Sequence, residues 1–173
     1  MHSTSTIASE NWEGADACPA SAPVKSFDVA AINVKITINR FGDNDPFGRM
    51  YALVDDIPAI RVQEAAATVS PGLGDDPIQP LTLYAEPGDC VEMSFTNMLD
   101  DGERASIHVH GVSYSAESAG GAVGFNPDSS VAPGESTTYR VFVDDIPENE
   151  GVHYLHSHGT DFRQQVFHGL FGG

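Results

Sequence analysis

Leu81-Thr82-Leu83-Tyr84-Ala85 runs into Glu86-Pro87-Gly88-Asp89 and then into Cys90-Val91-Glu92-Met93-Ser94-Phe95. The first five residues predict a strand, the Pro-Gly stretch a turn, and the last six a second strand. Side chains alternate across a strand, so Val91, Met93 and Phe95 share one face while Cys90, Glu92 and Ser94 share the other. Cys90 therefore points away from the apolar face, where the N-terminal segment could reach it.

The same pattern repeats on both sides of this unit. Upstream, Ile32, Val34, Ile36 and Ile38 alternate with Asn33, Lys35, Thr37 and Asn39, which predicts a half-buried strand. Met50–Val54 predicts a short strand, residues 57–69 a short helix or an irregular excursion, and residues 70–80 a loop rich in Gly, Pro and Asp. Downstream, strands are expected at Ala105–Val112, Thr138–Val143 and Val152–His156, the last clear one, with a Gly-rich loop over 115–126. Residues 1–25 read as a flexible lead-in and residues 26–173 as one domain, with no internal repeat. Six to eight short strands with regular turn signals predict a β-sandwich or barrel.

Composition fits a folded domain. The chain has 173 residues, 40% of them hydrophobic, enough for a sizeable core. Its 25 acidic residues against 8 basic ones give a net charge of −17, which argues against nucleic acid or an anionic membrane surface as a partner. Acidic pairs at Asp55-Asp56, Asp75-Asp76, Asp100-Asp101 and Asp144-Asp145 form either a solvated surface suited to high salt or an attractor for a cationic substrate such as a reduced metal ion. There are two cysteines, Cys18 and Cys90, open between a disulfide and two free thiols. No membrane-spanning run is seen. Met1 to Ser26 lacks the apolar centre of a secretion signal, which leaves a removed signal, an unusual route and an intracellular protein as alternatives.

Seven histidines are present, and four of them form His108-Val109-His110 and His156-Ser157-His158. Random placement of seven histidines would give roughly 0.3 such pairs. In a strand, residues i and i+2 project to one face, about 6.5 Å apart. Two such strands side by side would bring four imidazoles to one spot. Imidazole suits Cu, Zn, Fe and Ni, so ligand type alone does not select the metal. His153 has the opposite parity from His156 and His158 and reads as structural. His168, beside Gly169, reads as a structural residue or an outer partner of a site. A cupin with a mononuclear metal would place a Glu shortly after His-x-His, where Ser113, Tyr114 and Ser115 stand.

With those motifs in place, residues 26–173 resemble multicopper oxidases. Pro80-Leu81-Thr82-Leu83, Glu86-Pro87-Gly88-Asp89 and Thr96-Asn97 are similar to the strand pair before the family's first copper motif. Ser106-Ile107-His108-Val109-His110-Gly111-Val112 resembles that motif, His-x-His-Gly. Pro133-Gly134-Glu135-Ser136-Thr137-Thr138-Tyr139 resembles the turn and strand between motifs. Gly151 and Tyr154-Leu155-His156-Ser157-His158 resemble the second motif, and Gln164-Gln165 with Gly169-Leu170-Phe171-Gly172 the segment after it.

The resemblance implies an all-β, cupredoxin-like Greek-key β-sandwich. It implies that His108 binds a type 2 copper, and that His110, His156 and His158 bind a type 3 pair. The family's cluster lies between two domains and reduces O₂ to water with electrons from a type 1 copper that oxidises the substrate, a reduced metal ion or a phenol. A His-Cys-His for that type 1 site is absent from this chain. The resemblance thus implies a partner, a second cupredoxin domain or chain that carries the type 1 copper and the remaining histidines. It favours a secreted, periplasmic or cell-surface location. Members often place an acid nine residues after the second histidine of the first motif. Ala119 stands there, and the nearest acid, Glu117, is the candidate catalytic carboxylate, with an ordinary loop carboxylate as the alternative. The family continues into a closing strand after Gly172-Gly173, so the sandwich is expected to lack its final strand. A non-enzymatic copper-binding or assembly module is the competing function.

Overall fold

The computed structural model describes residues 16–69, 76–122 and 126–173. His2, Asp75, the first fifteen residues of the lead-in, most of the expected 70–80 loop and residues 123–125 lie outside the described residues.

Among the described residues, ten strands and two α-helices follow in chain order: β1 (Val24–Asn33), β2 (Ile36–Thr37), β3 (Asn44–Asp45), β4 (Arg49–Leu53), α1 (Ile57–Ala66), β5 (Cys90–Met98), β6 (His108–Val109), β7 (Ser113–Tyr114), β8 (Ser136–Phe142), β9 (Leu155–His156), α2 (Phe162–Phe167) and β10 (Phe171–Gly172). The main sheet has the order β4-β1-β5-β8-β7, with β1 parallel to β5 and its other pairs antiparallel. A smaller sheet, β10-β9-β6, is antiparallel throughout, and β2 pairs with β3 as a hairpin.

The alternation in β5 works as the sequence predicts. Val91, Met93 and Phe95 enter a core shared with Tyr139 and Val141 of β8, Tyr51 of β4, and Ile107, Leu155 and Leu170 from the side of the small sheet. Ser94 on the opposite face is exposed. Cys90 is bonded to Cys18, with Cα atoms 5.5 Å apart, so the segment before β1 is fastened across 72 residues of sequence.

β1 departs from the half-buried strand expected between Ile32 and Ile38. It begins at Val24, two residues before Ser26, and Val29, Ala30, Ala31 and Ile32 are all buried. The reason is its position inside the sheet with both faces covered. Val29 and Ala31 join the main core, while Ala30 and Ile32 pack with Met50, Ala52 and Ile60 in a second cluster. Ile60 is the buried residue of α1, so 57–66 of the ambiguous segment is a helix and serves as the lid of that cluster. Pro58 suits its first turn, where no intrahelical N–H partner is lost. Ile38, expected to continue the alternation, is 62% exposed.

Three other expected strands are shorter. Leu81–Ala85 contributes a single parallel bridge, Leu81 to Gly172, extended by hydrogen bonds from Gly173 N–H to Leu81 O and from Leu83 N–H to Gly173 O. Ala105–Val112 is reduced to an Ala105–Val131 bridge and β6. Val152–His156 is reduced to β9, and a further strand, β10, follows it. β10 pairs with β9 through Phe171–His156 and Gly172–Leu155. Two residues ending in Gly carry no alternation of their own, which is why pairing rather than pattern defines this strand. Among the described residues, no helix is long and apolar enough to cross a membrane.

Candidate metal centre

β6 and β9 bring the two His-x-His motifs together. They pair antiparallel with His108 opposite His156 and Val109 opposite Leu155. Alternation sends Leu155 into the core, with Val109 packed against it, and the imidazoles to the other side. A hydrogen bond from His110 N–H to Tyr154 O (2.8 Å) extends the pairing beyond the ladder. The ring centroids of His108 lie 5.0 Å from His110, 5.6 Å from His156 and 4.8 Å from His158. Those of His156 lie 5.0 Å from His110 and 4.6 Å from His158.

The ring nitrogens have defined roles. His108 Nδ1 lies 2.7 Å from the carbonyl of Ala119 and donates to it, which leaves Nε2 as the free lone pair. His156 Nδ1 does the same to Ser157 O at 3.0 Å. His156 Nε2 lies 2.9 Å from His110 Nε2, so these two nitrogens converge on one spot. A cavity of about 400 Å³ opens over the four rings, walled also by Tyr114, Ala119 and Asn126. Burial pushes His156 down to about 4, with a smaller contribution from the neighbouring imidazoles. Burial likewise lowers His108 and His158, reinforced by His110 for the first and by His108 and His110 for the second. Neutral imidazole is the form that ligates a metal, and burial favours that form at His108, His156 and His158.

The donor set suits a late first-row transition metal. Among the described residues, no group of three or more His, Cys, Asp or Glu is arranged to hold a metal ion by itself. Four imidazoles facing one cavity fit such a metal.

Other residues hold this arrangement from behind. Tyr154 stacks on His156 at 4.9 Å and meets His110 edge-on, Tyr114 meets His108 edge-on, and Phe162 stacks on His158. Gly120 has φ +78°, and a Cβ there would stand 2.1 Å from Ile107 O, so this position admits only glycine if Ala119 is to reach His108. Gly111, with φ +73°, ends the first motif where a Cβ would lie 2.9 Å from His153 Nδ1.

The remaining sequence candidates sit elsewhere. His153 has Nδ1 beside His110 O and Nε2 beside Asn149 O, both at 2.9 Å, and takes no part in the cavity wall. His168 caps the end of α2 and bonds to Asp45 at 2.7 Å. Glu117 is exposed on a short 3-10 turn (Ala116–Ser118) and does not line the cavity. The sequence gives Tyr154 a signal that was missed, its parity with His156, whereas Tyr114 lies on a different strand from the histidines. The Ala119 carbonyl and Asn126 left none.

A family model described as multicopper oxidase matches residues 73–173. A probable nitrite reductase-hydroxylamine oxidoreductase fusion protein of Kuenenia stuttgartiensis is 37% identical over 86 residues, covering 49% of this chain and 10% of that protein. Coagulation factor V of Mus musculus is 34% identical over 105 residues, covering 53% of this chain and 5% of that protein. Among solved structures, a multicopper oxidase from Pseudomonas thermotolerans matches with a TM-score of 0.60 at 23% identity, covering 88% of this chain and 29% of the other. A metallo-oxidase from Campylobacter jejuni matches with a TM-score of 0.52 at 20% identity, covering 86% and 25%. At these identities the solved structures show the fold, an all-β cupredoxin-like sandwich. The chain spans a tenth or less of these curated relatives and under a third of these solved chains.

Proposed function

The chain belongs to the multicopper oxidase family, whose cofactor is copper, and on that premise we propose that it supplies half the ligands of an interdomain copper cluster. His108 is assigned to the type 2 copper, and His110, His156 and His158 to the type 3 pair. A second cupredoxin domain or chain supplies the remaining histidines and the type 1 copper. The observation that supports this most is the β6–β9 ladder, which opposes His108 and His156 and converges the Nε2 atoms of His110 and His156.

Copper, when bound, carries electrons from the substrate to O₂. The chain's own residues fix where this happens. The Ala119 carbonyl holds His108 with its Nε2 towards the cavity, and the Ser157 carbonyl does the same for His156. Burial favours the neutral form of both rings. Val109 and Leu155 close the floor against the core. Glu117, exposed and outside the wall, is the nearest acid in sequence to Ala119. Reduced metal ions or phenols are the substrates proposed, and the net charge of −17 favours the cations. The Cys18–Cys90 disulfide supports an oxidising compartment, hence a secreted, periplasmic or cell-surface protein.

The absence of a self-sufficient group of three ligands among the described residues also suits the second reading, a non-enzymatic copper-binding or assembly module. Copper analysis, electron paramagnetic resonance and O₂ consumption on the full protein that carries this chain separate the two. The oxidase reading expects a type 2 signal that disappears in His108→Ala together with O₂ reduction. Copper bound through these histidines without O₂ reduction would favour the module.

A further inference from the structure

The β6–β9 ladder is two pairs long, ending at His108–His156, so His158 lies beyond it. What ties His158 to the first motif is a pair of serines. Ser106 and Ser157 are each 0% exposed, and the hydroxyl of each accepts from the backbone of the other's segment. The N–H of His158 donates to Ser106 Oγ at 2.9 Å. The N–H of Ser106 donates to Ser157 Oγ at 3.2 Å, and the N–H of Gly159 donates to the same oxygen at 3.0 Å. Tyr51 Oη donates to Ser106 O at 2.5 Å and fixes this strand to the main sheet.

We propose that Ser106 and Ser157 act as positioning residues, a reciprocal hydroxyl clasp that sets the place of His158 against His108. The inference rests on the ligand reading above and deepens it. His108 has the ladder and the Ala119 carbonyl to hold it. The backbone N–H of His158 is tied to the Ser106 hydroxyl, so loss of the clasp is felt first at His158. Ser106→Ala orphans one buried N–H, and Ser157→Ala orphans two. Backbone groups buried without a partner must shift to find one, carrying the attached imidazole with them.

The test measures how fast EDTA strips copper from the copper-loaded full protein, alongside its thermal melt. Ser106→Ala is expected to raise the stripping rate about tenfold in the wild-type background and to have no further effect on a His158→Ala background, because a positioning residue acts through the group it places. Equal acceleration in both backgrounds would show general destabilisation and overturn the clasp, as would no acceleration in the wild type. Should Ser157→Ala not fold, Ser106→Ala, which orphans a single N–H, carries the test. If His108→Ala and His158→Ala themselves leave copper retention unchanged, the ligand reading fails, an outcome distinct from failure of the clasp.

Discussion

His156 concentrates the physical chemistry of the site in one side chain. It is 8% exposed, faces three other imidazoles and has its Nδ1 held by a carbonyl. Its titration is lowered from 6.5 to about 4, burial being the main cause. Above pH 6.5 the ring is neutral folded or unfolded, and its contribution to stability is fully present. Between 6.5 and about 4 the unfolded chain takes up the proton first, so that contribution is lost as pH falls through this window. The denaturant midpoint of the copper-stripped protein is expected to drop across it, and to drop less in His156→Phe. Glu117 behaves differently. Exposed and outside the cavity, its change to Gln is expected to leave copper content unchanged and to lower O₂ consumption less than about threefold; a loss of a hundredfold would make it a catalytic acid. The four histidines were legible in the sequence because strand parity needs no tertiary knowledge. The Ala119 carbonyl was not, because a backbone acceptor carries no residue signature.

At the scale of elements, pattern was readable where one face of a strand meets the core and silent where both do. β5 alternates in the sequence and in the structure. β1 is buried on both faces through Val29–Ile32, so its alternation downstream of Ile32 misplaced the strand. The cover on its second face is α1, which the sequence left open between a short helix and an irregular excursion. Ile60 is the buried side chain of α1. Ile60→Ala is expected to cost about 2–4 kcal/mol in chemical denaturation. A loss below about 0.5 kcal/mol would mean that α1 does not seal the cluster of Ala30, Ile32 and Met50. β6, β9 and β10 are two residues each, too short for any period to show, and the spacing of the histidines marked two of them instead.

For the whole molecule, the disulfide and the metal centre lie at different parts of the same sandwich. Cys18–Cys90 closes 72 residues onto the start of β5. Cys18→Ala is expected to lower unfolding free energy by about 4 kcal/mol, the chain-entropy value for a loop of this length. Copper content per folded protein should be unchanged; a parallel loss of copper would couple the two regions. The cavity over β6 and β9 is proposed to hold copper through the His-x-His pairs, while His153, with its ring nitrogens beside His110 O and Asn149 O, is proposed to support the structure. Copper per protein in His108→Ala and His153→Ala of the full protein tests it most directly. Loss of the type 2 copper is expected in the first, and near-full copper with a lower melting temperature in the second. Equal copper loss in both would contradict it.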